Sequence, residues 1–130
     1  MQKLDLKKGD LVQEFGYDDD VDFTIRDVIE GTIDSELLYE DDQEVVDAAL
    51  LWWREEDGDS TELTDMVVDI MTTLNDGAHI WIFTPKHGRE NYVPPSDIQE
   101  AANTTGMNAL SAVNASEDWI MTGLVSRTKR

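Results

Sequence analysis

The chain has 130 residues, of which 29 are Asp or Glu and 10 are Lys or Arg, a formal net charge of −19. A field of that sign repels phosphate backbones and anionic bilayers within a Debye length, so neither nucleic acid nor a membrane surface is expected as a direct partner. With no cysteine present, disulfides, thiolate catalysis and cysteine-ligated zinc are excluded as well.

The length fits a single domain over residues 1–130, large enough to bury a sizeable core. The start, Met1-Gln2-Lys3-Leu4-Asp5, lacks the apolar stretch of a signal peptide, and no run approaches the roughly 18 apolar residues that span a bilayer. A soluble cytoplasmic protein is the expectation. Acid is concentrated early: residues 1–59 hold 20 Asp and Glu against 5 Lys and Arg, and residues 60–130 hold 9 against 5. The apolar residues are gathered in periodic runs rather than diluted, which predicts folding despite the charge. The acidic half reads as a solvated face that maintains solubility, as a docking surface for a basic partner or as a weak binder of divalent cations.

In chain order, Gly9 to Gly16 reads as a first strand stopped by Gly16. Asp18-Asp19-Asp20 then supplies a helix start, with Val21, Ile25, Val28 and Ile29 at helical spacing and Gly31 as the stop. Leu37-Leu38-Tyr39 is either a short edge strand or a turn of helix, and 40–44 is a charged loop. The run from Val45 to Arg54 is apolar enough for a buried strand and delivers Trp52, Trp53 and Arg54 at its end. Asp59, with Glu62 three residues on, or Ser60 caps the next helix, whose stripe is Leu63, Met66, Val67, Ile70, Met71 and Leu74, with Asn75-Asp76-Gly77 as its end. Ala78 to Phe83 is a second buried strand ending in Thr84-Pro85-Lys86. Strand, helix and strand make a βαβ unit, whose two parallel strands need cover on both sheet faces. Ser96 and Gln99 form a capping-box pattern for a helix that stops at Gly106. The tail, Asn108 to Ala115 and Trp119 to Arg127, suits an antiparallel hairpin.

In open α/β sheets ligands bind beyond the carboxyl ends of the strands, a rule that selects Glu14 to Tyr17, Trp52 to Arg54 and Thr84 to Lys86. A crevice lined by Tyr17 and Trp52 and edged by Arg54 and Lys86 would suit a small aromatic or anionic ligand. The alternative is that the tryptophans are core and the cations neutralise nearby carboxylates. Lys86-His87-Gly88-Arg89 is the only internal basic cluster and precedes the helix near Ser96, so Lys86 and Arg89 are candidate anion ligands. His79, inside an apolar strand, reads as a sheet residue and not a base. No metal site is expected, because Asp18-Asp19-Asp20 with Asp22 and Asp57-Gly58-Asp59 with Glu62 lack EF-hand spacing and fit helix starts. No serine sits in a nucleophile elbow, and the first turn offers one glycine and three carboxylates where a dinucleotide loop needs several glycines, so no catalytic residue and no cofactor is assigned.

Taken together, Val12-Gln13-Glu14-Phe15-Gly16-Tyr17-Asp18-Asp19-Asp20-Val21-Asp22, Leu50-Leu51-Trp52-Trp53-Arg54, Thr84-Pro85-Lys86-His87-Gly88-Arg89 and Pro95-Ser96-Asp97-Ile98 resemble the actinobacterial family catalogued as domain of unknown function 3052. The family's wider relatives resemble trimmed class I methyltransferase folds. In that comparison Gly9 to Phe15 is similar to the first strand, the two buried runs to the fourth and fifth, and the tail to the closing antiparallel hairpin. The resemblance implies an α/β, three-layer, Rossmann-like fold with a mostly parallel sheet of about five or six strands. The functional expectation is a non-catalytic regulatory or protein-interaction module that meets a partner with a basic surface. A small-ligand or anion crevice would be bordered by Glu14, Gly16, Tyr17, Trp52, Arg54, Lys86 and Arg89. The alternative implied by the resemblance is a reduced methyltransferase-like enzyme, with Glu14 and Gly16 beside S-adenosylmethionine.

Overall fold

The computed structural model describes Leu4 and residues 6–126. The opening residues 1–5, read as lacking a signal peptide's apolar stretch, fall largely outside those residues, as does Arg127 at the end of the expected hairpin. In chain order the elements are β1 (Val12–Phe15), α1 (Phe23–Ile33), β2 (Val46–Trp52), a 3₁₀ turn (Glu55–Asp57), α2 (Ser60–Met71), β3 (Leu74–Pro85), α3 (Pro95–Thr105), β4 (Met107–Ala109), β5 (Val113–Asn114) and β6 (Trp119–Ser126). They form one sheet of order β1-β2-β3-β6-β4, with β5 also on β6. The pairs β1–β2 and β2–β3 are parallel, and β6 runs antiparallel to β3, β4 and β5, so only β6 opposes the common direction. Among the described residues no helix is long and apolar enough to cross a membrane.

The apolar runs become central strands because both of their faces are covered. Ala48, Leu50 and Trp52 of β2 lie opposite His79, Trp81 and Phe83 of β3. Leu50, Trp52, Trp81 and Phe83 pack with Ile25, Ile29 and Ile33 of α1. The alternate residues, Ala49, Leu51, Ile80 and Ile82, pack with Leu63, Val67 and Ile70 of α2 and with Ile98, Ala101 and Ala102 of α3. Each of the larger side chains, fully withdrawn from water, contributes about 1.5–3 kcal/mol before the entropy of ordering is subtracted. Trp81 faces Gly123 across the β3–β6 pair, where a Cβ would lie 2.6 Å from the indole, so the missing side chain makes room for the ring.

Several element boundaries differ from the sequence expectation. The aspartates at 18–20 precede α1 without capping it; Asp22 does so, its carboxylate accepting from the Ile25 N–H at 3.1 Å. Gly31 does not stop that helix, which continues to bury Ile33 before Asp34 closes it in the left-handed conformation. Val28, expected on the buried stripe, is 47% exposed. In α2 the Asp59–Glu62 capping box forms as the spacing requires. Its helix ends at Met71, and β3 already begins at Leu74, which pairs with Val46 of β2 before an irregularity shifts the register and Ala48 meets His79. Ser96 makes no cap: Pro94 occupies that position and Pro95 supplies the first helical residue with its φ already set. Leu38 forms an isolated parallel bridge with Gln13, a rudimentary outer strand beside β1.

Candidate functional site

β1 and β2 end side by side, and the chain beyond them is tied down by two arginines. Glu14, 6% exposed, accepts two bonds from the Arg26 guanidinium at 2.7 and 2.9 Å and one from the Trp52 indole at 2.9 Å. One carboxylate thus joins β1, α1 and β2. The Glu14 side chain holds Arg26 well protonated, above the ordinary guanidinium range. Arg54, side chain 4% exposed, donates to Asp20 Oδ2 at 3.0 Å, to the Gly16 carbonyl at 2.7 Å and to the Trp52 carbonyl at 3.0 Å, with Asp57 at 3.6 Å. These bonds compensate its burial. Arg54 in turn holds the Asp20 carboxyl below the usual carboxylate range.

Gly16 is required here: its φ is 75°, and a Cβ would run into the carbonyl of Trp52. Its N–H donates to Glu40 Oε1 at 3.1 Å. The first turn is consequently packed onto β2, with Glu14 held by Arg26 and Asp20 by Arg54.

The sequence-selected residues fall into two groups. Glu14, Gly16, Tyr17 and Arg54 border two open depressions at the ends of β1 and β2. Lys86 and Arg89 border neither; they follow β3 toward the β5–β6 turn, where Lys86 N–H donates to the Asp118 carbonyl and Arg89 pairs with the Asp118 carboxylate. Trp52 also borders the second depression, yet it is fully buried, its ring stacked on Phe83 at 4.5 Å and edge-on to Trp119 at 5.0 Å, so the ring itself is core. Tyr17 is 52% exposed, with Arg26 over its ring at 5.0 Å. His79 lies in the sheet, stacked on Trp81. The amino end of α3 is acidic: burial pushes the Asp97 carboxyl up, and the charges of Glu100, Asp59 and Glu55 push it further.

The first depression, about 910 Å³, is lined by Glu14, Tyr17, Arg26, Tyr39, Glu40 and Asp41. The second, about 400 Å³, carries the carboxylates of Asp18, Glu40, Asp57, Glu62, Asp65 and Asp69, with Arg54 as its only basic residue among those described. Sequence reading missed Glu40, Asp65 and Asp69. The i, i+4 spacing of Asp65 and Asp69 on α2 was the available signal, since it places both on one polar helix face.

The fold is similar to that of methyltransferases of known structure. The structure resembles magnesium protoporphyrin IX methyltransferase from Synechocystis, solved with bound SAM, with a TM-score of 0.61 at 9% identity over 92% of this chain and 71% of that one. It also resembles the N-methyltransferase NodS from Bradyrhizobium japonicum, with a TM-score of 0.58 at 12% identity over 94% of this chain and 88% of that one. At such identities the likeness is one of fold. The chain belongs to the family described as Protein of unknown function (DUF3052), which matches residues 1–128. An uncharacterized protein of Mycobacterium tuberculosis is 42% identical over 129 residues, 99% of this chain and 79% of that protein, and an uncharacterized protein of Mycobacterium bovis matches equally.

Proposed function

We propose that this protein is a non-catalytic, cytoplasmic interaction module that uses a methyltransferase-like fold to present an acidic cleft to a partner with a basic surface. The carrying observation is the sign of the strand-end depression, whose six carboxylates face one arginine that is already bonded to Asp20, Gly16 and Trp52. Such a surface attracts cations, and the net charge of −19 extends that attraction outward as steering. The same field disfavours the anionic ligand that Arg54, Lys86 and Arg89 suggested, since Arg54 is neutralised and the other two lie elsewhere.

Isothermal titration of the full chain with a lysine-rich peptide tests the reading. Saturable binding that weakens at least tenfold between about 50 and 300 mM salt is expected, because rim charges are screened over those concentrations. Salt-independent binding, or none at the lower salt, refutes it.

A second reading, a reduced S-adenosylmethionine-dependent enzyme, is favoured by one detail: the Glu14–Gly16 turn ends the first strand, with Glu40 bonded to the Gly16 N–H beside the larger depression. Against it stand the single glycine and the engagement of Glu14 by Arg26 and Trp52. A ligand held only by the native state raises the unfolding temperature. A shift of several degrees with S-adenosylmethionine or its demethylated product would install this second reading in place of the first.

A further inference from the structure

The depression of about 910 Å³ at the end of β1 exposes aromatic surface on anchored backbone. Tyr39 lines it at 74% exposure, and among the described residues no ring packs against the Tyr39 ring and no cation lies over it. The backbone beneath that ring is held. Its N–H donates to Asp42 Oδ2 at 2.7 Å, its carbonyl accepts from the buried Gln13 amide at 2.9 Å, and Leu38 bridges to Gln13. Tyr17 lines the same depression, 52% exposed, beside a glycine packed on the Trp52 carbonyl. Large rings kept in water on fixed backbone make a contact surface that orders at low entropic cost, since a tyrosine has few side-chain torsions to lose.

The fold itself shows what such a surface takes. The Arg26 guanidinium lies over the Tyr17 ring at 5.0 Å and the Phe23 ring at 5.8 Å while its N–H edge is bonded to both oxygens of Glu14. A ring face and a carboxylate thus hold one guanidinium between them. Tyr39, Glu40 and Asp41 bring the same two kinds of group to the same depression, and among the described residues neither Glu40 nor Asp41 has an ion pair. Glu14 cancels the charge of Arg26, so Glu40 and Asp41 leave the depression negative. Glu40 accepts the Gly16 N–H at 3.1 Å, a bond that positions its carboxylate and leaves it charged. A guanidinium suits this lining better than an ammonium, because it is planar and weakly hydrated and can lie flat on a ring while its edge still reaches a carboxylate. From the unpartnered Tyr39 ring, the surplus negative charge and the Arg26 arrangement beside them, we infer that this depression receives an arginine side chain of the basic partner, its guanidinium over Tyr39 and its N–H edge toward Glu40 and Asp41. The inference rests on the docking reading for the existence of that partner and names the residue it inserts.

The test is a titration of the full chain, ¹³C-labelled in its tyrosine rings, with two peptides of equal length and charge, one of arginine and glycine and the other of lysine and glycine, and separately with ethylguanidinium. Saturable shifts of the Tyr39 ring, and binding of the arginine peptide at least about fivefold tighter than that of the lysine peptide, are the expected result. Tyr39→Leu is expected to weaken the arginine peptide about fivefold and the lysine peptide less than about twofold, with Tyr39→Phe restoring the preference because the ring face remains. Asp41→Asn should weaken the arginine peptide more than Glu100→Gln, an equal change of charge on α3 across the sheet. Equal binding of the two peptides, an unchanged arginine affinity in Tyr39→Leu, or no shift of the Tyr39 ring would overturn the inference. A lysine peptide that binds as tightly as the arginine one, with shifts at Asp65 and Asp69 alone, would leave the docking reading standing while removing this one. Saturation of the Tyr39 ring by ethylguanidinium beside two inert peptides would support the guanidinium site and remove the docking reading.

Discussion

Replacing Arg26 by methionine leaves the Glu14 carboxylate, with its side chain 6% exposed, holding one donor, the Trp52 indole at 2.9 Å. Two charge-assisted bonds of 2.7 and 2.9 Å disappear, and with them the packing of the guanidinium over Tyr17 and Phe23. Breaking a buried pair from one side costs about 3–5 kcal/mol. Arg26 is 20% exposed, and partial solvation lowers the figure to about 3 kcal/mol, cation–π contacts included. With a urea dependence of about 1.5 kcal/mol per molar for a chain of this size, the unfolding midpoint at pH 7 falls by about 2 M. The double variant Glu14→Gln with Arg26→Met removes the stranded charge while an amide oxygen still accepts from Trp52. It should recover about half of the loss, as a positive coupling energy in the double-mutant cycle. A cost below about 0.5 kcal/mol for Arg26→Met, or a double variant less stable than the single one, would refute the claim that a buried ion pair fastens β1 to α1 and β2.

Other consequences are separately measurable by denaturant or thermal unfolding. Gly16→Ala should cost at least about 2 kcal/mol more than Gly77→Ala: both residues have positive φ, but only at Gly16 does the new methyl meet backbone. Asp59→Ala removes the bonds that its carboxylate accepts from the Thr61 and Glu62 N–H groups at the start of α2, for a loss of about 1 kcal/mol. The folded-state lowering of the Asp20 carboxyl sets a pH dependence: its stabilising contribution is present above the ordinary value of 3.8 and is lost as pH falls through the depressed folded value. Asp20→Asn should therefore be less stable than the unchanged protein at pH 6, with the difference shrinking below pH 3.8; a difference that grows on acidification would contradict the sign.

The central sheet was legible because burial on both faces leaves an unmistakable mark, a continuous apolar run such as 48–53, and because α2 displays its stripe at Leu63, Val67 and Ile70. The Asp59 cap was legible for the same local reason. Boundaries governed by tertiary context were not: Gly31 is open to solvent and costs α1 too little to end it, and Leu74 joins β3 because β2 is there to pair with it. In the site, strand-end position picked out Glu14, Gly16, Tyr17 and Arg54, yet it could not separate Trp52 as core from Trp52 as cleft wall. That distinction depends on Phe83 and Trp119, far apart in sequence: Phe83 meets the ring when β2 pairs with β3, and Trp119 when β6 pairs with β3. Lys86 and Arg89 were displaced from the cleft for a related reason, since Asp118 in the β5–β6 turn captures both the backbone and the charge of that loop.

Whether the ends of β1 and β2 receive positive charge and no nucleoside cofactor is decided by amide-resolved titration of the full chain with a lysine-rich peptide and, separately, with S-adenosylhomocysteine. Saturable shifts at Tyr17, Asp57, Asp65 and Asp69 with the peptide, and none with the nucleoside, are the predicted result. Saturable shifts from Glu14 to Tyr17 and at Glu40 with S-adenosylhomocysteine, beside an inert peptide, would contradict it.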